Sequence, residues 1–168
     1  MRKLFLLLFL FSLCLFSCAE ADGIFDYQDA GGVYEGEISY LQERFSVKIT
    51  LAPLENGERS AAEIEYLEPE SLAGYRVKRE GDGYFAVVGD LEIPVTSRSL
   101  PQLSFVEELF SLCEADILSI ETDGDGNSVV RTSGESSGHE AVAVYSCEGG
   151  LMSLSLPACD FTVTFKGK

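Results

Sequence analysis

Phe45-Ser46-Val47-Lys48-Ile49-Thr50-Leu51 alternates apolar and polar side chains without a single error. Successive side chains of an extended chain point to opposite faces, so this segment puts Phe, Val, Ile and Leu on one side and Ser, Lys and Thr on the other. It reads as a strand buried on one face only. The same period continues along the chain. Ala62-Glu63-Ile64-Glu65-Tyr66 follows the Asn56-Gly57 hairpin signal, and Tyr75–Arg79 and Tyr84–Val88 flank Gly81-Asp82-Gly83. Leu91–Val95 continues as strand, with Pro94 pushing it towards an edge or a bulge. Further strands are expected at Leu118–Thr122, Ser128–Thr132, Ala141–Cys147, Leu151–Leu156 and Phe161–Phe165, the last followed by the edge charges Lys166 and Lys168.

One segment departs from this period. Leu103, Val106, Leu109, Phe110 and Cys113 recur at three- and four-residue spacing, with Glu107 and Glu108 on the far side. A helix is expected from about Gln102 to Glu114, with Ser99-Leu100-Pro101-Gln102 or Ser104-Phe105-Val106-Glu107 as a capping box. Strands without βαβ alternation, joined by tight turns, call for an antiparallel sheet. The expected fold is mainly β (α+β): a curved antiparallel sheet or half-barrel of about nine to eleven strands, covered by one main helix.

The amino terminus carries an address. Arg2-Lys3 precedes an apolar or small run from Leu4 to Phe16, then Ser17 and Cys18. This is the order of a secretory signal peptide, and the run is shorter than the roughly 20 residues a bilayer-spanning helix needs. Leu15-Phe16-Ser17-Cys18 resembles the lipobox of bacterial lipoproteins. That resemblance implies diacylation of the Cys18 thiol, cleavage before it, and an extracytoplasmic protein held at the membrane by lipid. Residues 1–17 are then the signal, 18–32 an acidic, glycine-rich lipidated tether, and 33–168 the β domain. Loss of Arg2 and Lys3 takes the net charge from −16 to −18. So much negative charge repels phosphate backbones and anionic headgroups, which excludes nucleic acid as a partner and leaves the lipid to hold the membrane.

Leu67-Glu68-Pro69-Glu70-Ser71-Leu72-Ala73-Gly74-Tyr75-Arg76-Val77 has Pro-x-x-Leu-x-Gly followed by an alternating strand. With the lipobox before it and a strand, a helix and more strands after it, the layout resembles LolA/LolB-like proteins. This half-barrel family includes lipoprotein carriers and RseB-type sensors. The resemblance implies an incomplete barrel whose apolar concave face, plugged by helix, holds acyl chains in carriers and a protein partner in sensors. It implies no catalytic residue and no cofactor.

Candidate chemistry elsewhere is thin. His139, the one histidine, sits in the polar Thr132–Glu140 loop without a nucleophile motif, so a solvated histidine is expected. Asp123-Gly124-Asp125-Gly126-Asn127 begins like a calcium loop, but Ser128 and Gly134 stand where its glycine and glutamate belong. A tight turn is expected there, and no metal site. Cys113, Cys147 and Cys159 are expected as buried free thiols, with a Cys147–Cys159 bridge the alternative. Phe45, Val47, Ile49, Ile64, Tyr66, Phe85 and Val87 could line a cavity for a lipid or hydrophobic ligand, with Leu103, Val106 and Phe110 as its plug. Most of them are expected to pack on each other as core, since apolar faces usually meet in a filled interior, and the alternative function is then that of an envelope lipoprotein serving a protein partner.

Overall fold

The structure, a computed structural model, describes residues 31–55, 58–112, 117–133 and 139–166. Cys18 with its leader, the tether to residue 30, the Asn56-Gly57 turn and Cys113 lie outside the described residues.

The chain runs through β1 (Gly32–Tyr40), β2 (Glu43–Leu51), β3 (Leu54–Glu55), β4 (Glu58–Arg59), β5 (Ala61–Glu68), β6 (Tyr75–Glu80), β7 (Gly83–Val88) and β8 (Leu91–Val95). Helix α1 (Pro101–Leu109) follows, then β9 (Ile117–Thr122), β10 (Ser128–Ser133), β11 (Glu140–Tyr145), β12 (Leu151–Leu156) and β13 (Phe161–Phe165). Eleven of these strands form one antiparallel sheet in the order β8-β7-β6-β5-β2-β1-β13-β12-β11-β10-β9, and β3 and β4 form a small ribbon beside it. The sheet is two meanders, β5 to β8 and β9 to β13, joined through β1 and β2. Strand β8, which carries Pro94, is a terminal strand of the sheet, where a missing N–H costs least.

The helix lies in the connection between β8 and β9, the two opposite edges of the sheet. That connection has to cross one face, and α1 crosses it apolar side down. Its Leu103, Val106 and Leu109 are fully buried, as is Phe110 just beyond it. Beneath them lie Ile38, Val47, Ile49, Ile64, Val77, Val130, Leu154, Phe161 and Val163, all in one core cluster. Four large apolar side chains buried at roughly 1.5–3 kcal/mol each make this the main adhesive between helix and sheet.

The helix is shorter than its periodicity implies. It ends at Leu109, and residues 110 and 111 form a turn. Neither serine capping box forms: the cap position is Leu100, without a side-chain hydrogen bond, and Pro101 occupies the first helical turn. Proline there lacks an N–H that would be unpaired anyway, so it starts the helix without a cap. Strand β1 begins at Gly32, one residue inside the expected tether.

Gly36 sits where the two halves of the sheet meet, opposite Val47 on β2 and Phe165 on β13. A Cβ at this position would press into the carbonyl oxygen of Thr164, and the carbonyl carbon would be 3.2 Å away. The backbone of β13 cannot yield without breaking the ladder, so Gly36→Ala is expected to cost about 1–3 kcal/mol, the usual range for overpacking. A urea midpoint lowered with the slope unchanged is the result that checks this.

Candidate functional site

The register assigns the strand residues of the β1–β8 half to two faces. Tyr34, Ile49, Ile64, Val77, Ala86 and Ile93 stand directly opposite one another in sequence across β1, β2, β5, β6, β7 and β8, forming one row on the helix side. A second row on the same side runs from Gly36 through Val47 to Tyr66, and resumes as Tyr75, Val88 and Leu91. Tyr66 bridges the gap, its ring 5.6 Å from Phe45 and 5.7 Å from Tyr75. The opposite, convex side carries Lys48, Glu65, Arg76, Val87 and Glu92 in one row, and Glu63, Lys78, Phe85 and Pro94 in the next.

This separates the residues expected to line a cavity. Phe45, Val47, Ile49, Ile64 and Tyr66 do share the concave face with Leu103, Val106 and Phe110, all in or against the core. Phe85 and Val87 do not. They point to the convex side, where the Lys78 ammonium lies 5.5 Å from the centre of the Phe85 ring and Val87 stands opposite Arg76. The hairpin of β6 and β7 fixes this phase: Gly81-Asp82 is a two-residue turn pairing Glu80 with Gly83, which sends Tyr84, Ala86 and Val88 to the concave face. Alternation alone favours the bulky pair Phe85 and Val87 as the buried set. On the convex face Phe85 is half-buried beside Lys78, and Val87, 1% exposed, is buried but outside the core cluster under the helix.

The central concave residues are sealed. Val47, Ile49, Ile64, Leu103, Val106 and Phe110 have no exposed surface, so these six are core in this state. Burial pushes the Tyr66 hydroxyl up to about 12, with Tyr75 adding a smaller push. Two arginines fasten the helix over this centre. Buried Arg59 donates through Nη2 to the Phe110 carbonyl at 3.0 Å and through Nη1 to the Ala52 carbonyl. Its charge meets the negative end of the α1 dipole. Arg79 donates through Nε to the Glu107 carboxylate, through Nη1 to the Gly81 carbonyl and through Nη2 to the Arg59 carbonyl, the last two at 2.8 Å.

Beyond the helix the concave face opens. Helix α1 packs on β5, β12 and β13, while β8 lies three strands past β5, about 14 Å away. Along the first row exposure rises from nil at Ile64 and 3% at Val77 to 44% at Ile93. Along the second it rises from 4% at Tyr66 to 56% at Val88 and 61% at Leu91. Val88, Leu91 and Ile93 therefore form an accessible apolar wing continuous with the core. The sequence holds the signal for it: Leu91, Ile93 and Val95 alternate, and the Gly89-Asp90 turn sets Leu91 against Val88.

The remaining candidates resolve locally. Asp123 closes the β9–β10 turn as expected. Its carboxylate accepts from the backbone N–H groups of Asp125 and Asn127 and from Nδ2 of Asn127, each at 2.9 Å, and these bonds hold its pKa below the ordinary value. His139 is half-buried, not solvated, with Nδ1 3.6 Å from Sγ of Cys159. Cys147 and Cys159 are free thiols; Cys147 is exposed, on the tight turn between β11 and β12, and Cys159 is half-buried. Burial, and then Glu108, push the Cys159 thiol up, which favours its protonated form.

No protein-family model matches the chain, and no curated protein matches its sequence. Among solved structures, an uncharacterized conserved protein from Thermus thermophilus is similar at a TM-score of 0.46 and 10% identity, over 88% of this chain and 87% of the other. A LolA superfamily protein from Nitrosomonas europaea is similar at a TM-score of 0.37 and 13% identity, over 80% and 75%.

If Arg59 fastens the helix, Arg59→Met leaves the buried Phe110 carbonyl and the part-buried Ala52 carbonyl without these donors at nearly equal side-chain volume. A loss of about 1–3 kcal/mol is expected, the cost of an unsatisfied buried polar group. Hydrogen exchange should then quicken first in residues 101–110, ahead of β1 and β2. Uniform quickening throughout the sheet would contradict the fastening role.

Proposed function

We propose that this chain is an extracytoplasmic lipoprotein, anchored through acylated Cys18, which binds a lipid or other hydrophobic ligand on the concave face of its sheet. The observation that carries the reading is the wing of Val88, Leu91 and Ile93. Three large apolar side chains stand 44–61% exposed, side by side, on the same face as the core. Scattered apolar residues on a surface need no explanation, but a contiguous set running into a core does. The ligand enters over the wing and lies along the row towards Tyr75 and Tyr66. The helix stays in place and forms the far wall.

The sealed centre favours a second reading. With Val47, Ile49 and Ile64 packed against Leu103 and Val106, the interior needs no ligand to be filled, and the wing would then seat a protein partner of the envelope. Native mass spectrometry of residues 19–168, purified without detergent, separates the two. The ligand reading expects a mass excess that survives desalting and disappears in Leu91→Asp/Ile93→Asp. Both positions are exposed, so each substitution should change stability by no more than about 0.5 kcal/mol. A clean apo mass, with crosslinks to another envelope protein that the double variant abolishes, would favour the partner.

Anchoring has its own test. Metabolic labelling with an alkynyl fatty acid should mark the wild type and leave Cys18→Ala unlabelled. Label retained in the variant would place the acylation elsewhere.

A further inference from the structure

The wing has a charged border, and its sign names the head of the ligand. Glu43 lies two residues from Phe45 on β2 and stands opposite Tyr40 of β1, so it continues the concave face at one rim of the sheet. Asp90 occupies the turn between Val88 and Leu91 at the same rim. Glu70 lies in a single 3-10 turn whose connection folds back over the end of β5, the Gly74 N–H donating to the Tyr66 carbonyl at 2.9 Å. All three are exposed. None takes part in an ion pair among the described residues.

The convex side makes the contrast. There Lys48 pairs with Glu65, Arg76 with Glu63, Lys78 with Glu80 and Glu92, and Arg44 with Glu37. The cations of the β1–β8 half are thus engaged by the convex carboxylates or, like Arg59 and Arg79, by the helix. The rim beside the apolar wing keeps three carboxylates that no cation neutralises among the described residues. An anionic amphiphile laid on the wing would bring its head into this rim and be repelled. A cationic head would be attracted most by Asp90, which flanks the wing, and less by Glu70 and by Glu43, whose strand β2 lies four strands from β8, about 19 Å away.

We infer that the concave wing takes a single-chain amphiphile with a cationic head, its chain on Val88, Leu91 and Ile93 and its head beside Asp90, on the rim that Glu70 and Glu43 continue. The inference rests on the proposed function and specifies its ligand.

The test compares three probes of one chain length below their micellar concentrations: dodecyltrimethylammonium, dodecyl maltoside and dodecyl sulfate. Binding to residues 19–168 is measured by calorimetry, and the methyl resonances of Val88, Leu91 and Ile93 report the place. The cationic probe is expected to bind at least tenfold more tightly than the maltoside, and the sulfate more weakly than either. In Glu43→Gln/Glu70→Gln/Asp90→Asn, the cationic preference should fall to within twofold while maltoside binding stays unchanged. Salt at 0.5 M should shrink the preference in the wild type, because exposed charges are screened within a few ångströms.

Equal binding of the cationic and neutral probes would overturn the head-group inference and leave the apolar site standing. A preference that survives the three substitutions would overturn it too, tracing the selectivity to the protein's overall charge. Failure of all three probes to shift the wing methyls would overturn the site itself, and the proposed function with it.

Discussion

Everything in this molecule depends on the burial of one nine-residue helix against the middle of an open sheet. An eleven-stranded sheet with one apolar face cannot stay in water as a bare surface, and the chain has only one α-helix among its described residues with which to cover it. The topology leaves little choice of where that helix lies. It connects the two edges, so it crosses the concave face, and Leu103, Val106, Leu109 and Phe110 meet the deepest part of it. Helix and sheet thus stabilise each other across one interface. Arg59 and Arg79 add direction to an attraction that has none of its own, holding the carbonyl end of the helix over the β4 and β6 side.

A single short helix also fixes what is left uncovered. A helix is about 10 Å across with its side chains, and it spans two or three strands at the sheet spacing. The strands nearest its contacts become core, and strands farther out keep apolar residues in water. The graded exposure of the two concave rows follows from this geometry alone. Core and candidate site are one surface, divided by the reach of the helix.

Much of this is legible in the chain. Period-two segments locate ten of the eleven strands of the sheet, β1 being missed, because half-buried strands write their burial directly into sequence. The three- and four-residue spacing from Leu103 onward locates the helix. Pro94 marks an edge strand, and it stands on one. The failures have specific causes. The phase of β7 escapes the sequence because Tyr84-Phe85-Ala86-Val87-Val88 is apolar throughout, and alternation cannot say which half of such a run faces inward. Only the two-residue turn at Gly81-Asp82 decides it. The fastening arginines are invisible, since a buried guanidinium bonded to backbone carbonyls looks, in sequence, like any surface charge. Cys147 is expected to be buried, but the β11–β12 turn carries it out to solvent. Leu91 and Ile93 can be placed on a strand from sequence without being recognised as accessible, because their exposure depends on where the helix stops.

An exposed apolar edge strand is ordinarily a hazard, since its free backbone groups recruit a further strand. Here the apolar side chains and the strand edge have been given different properties. Pro94 removes one donor from β8, and Glu92 adds a charge to it, held by Lys78 on the convex side at 2.8 Å. Strand addition at this edge therefore meets an incomplete ladder. The concave face of the same strand, with Leu91 and Ile93, has no such obstacle. A chain that had only to avoid aggregation would place polar residues at these two positions, at almost no structural cost, because neither is buried. Blocking the edge while keeping the apolar face is the arrangement suited to a surface that binds side chain to ligand and not backbone to backbone.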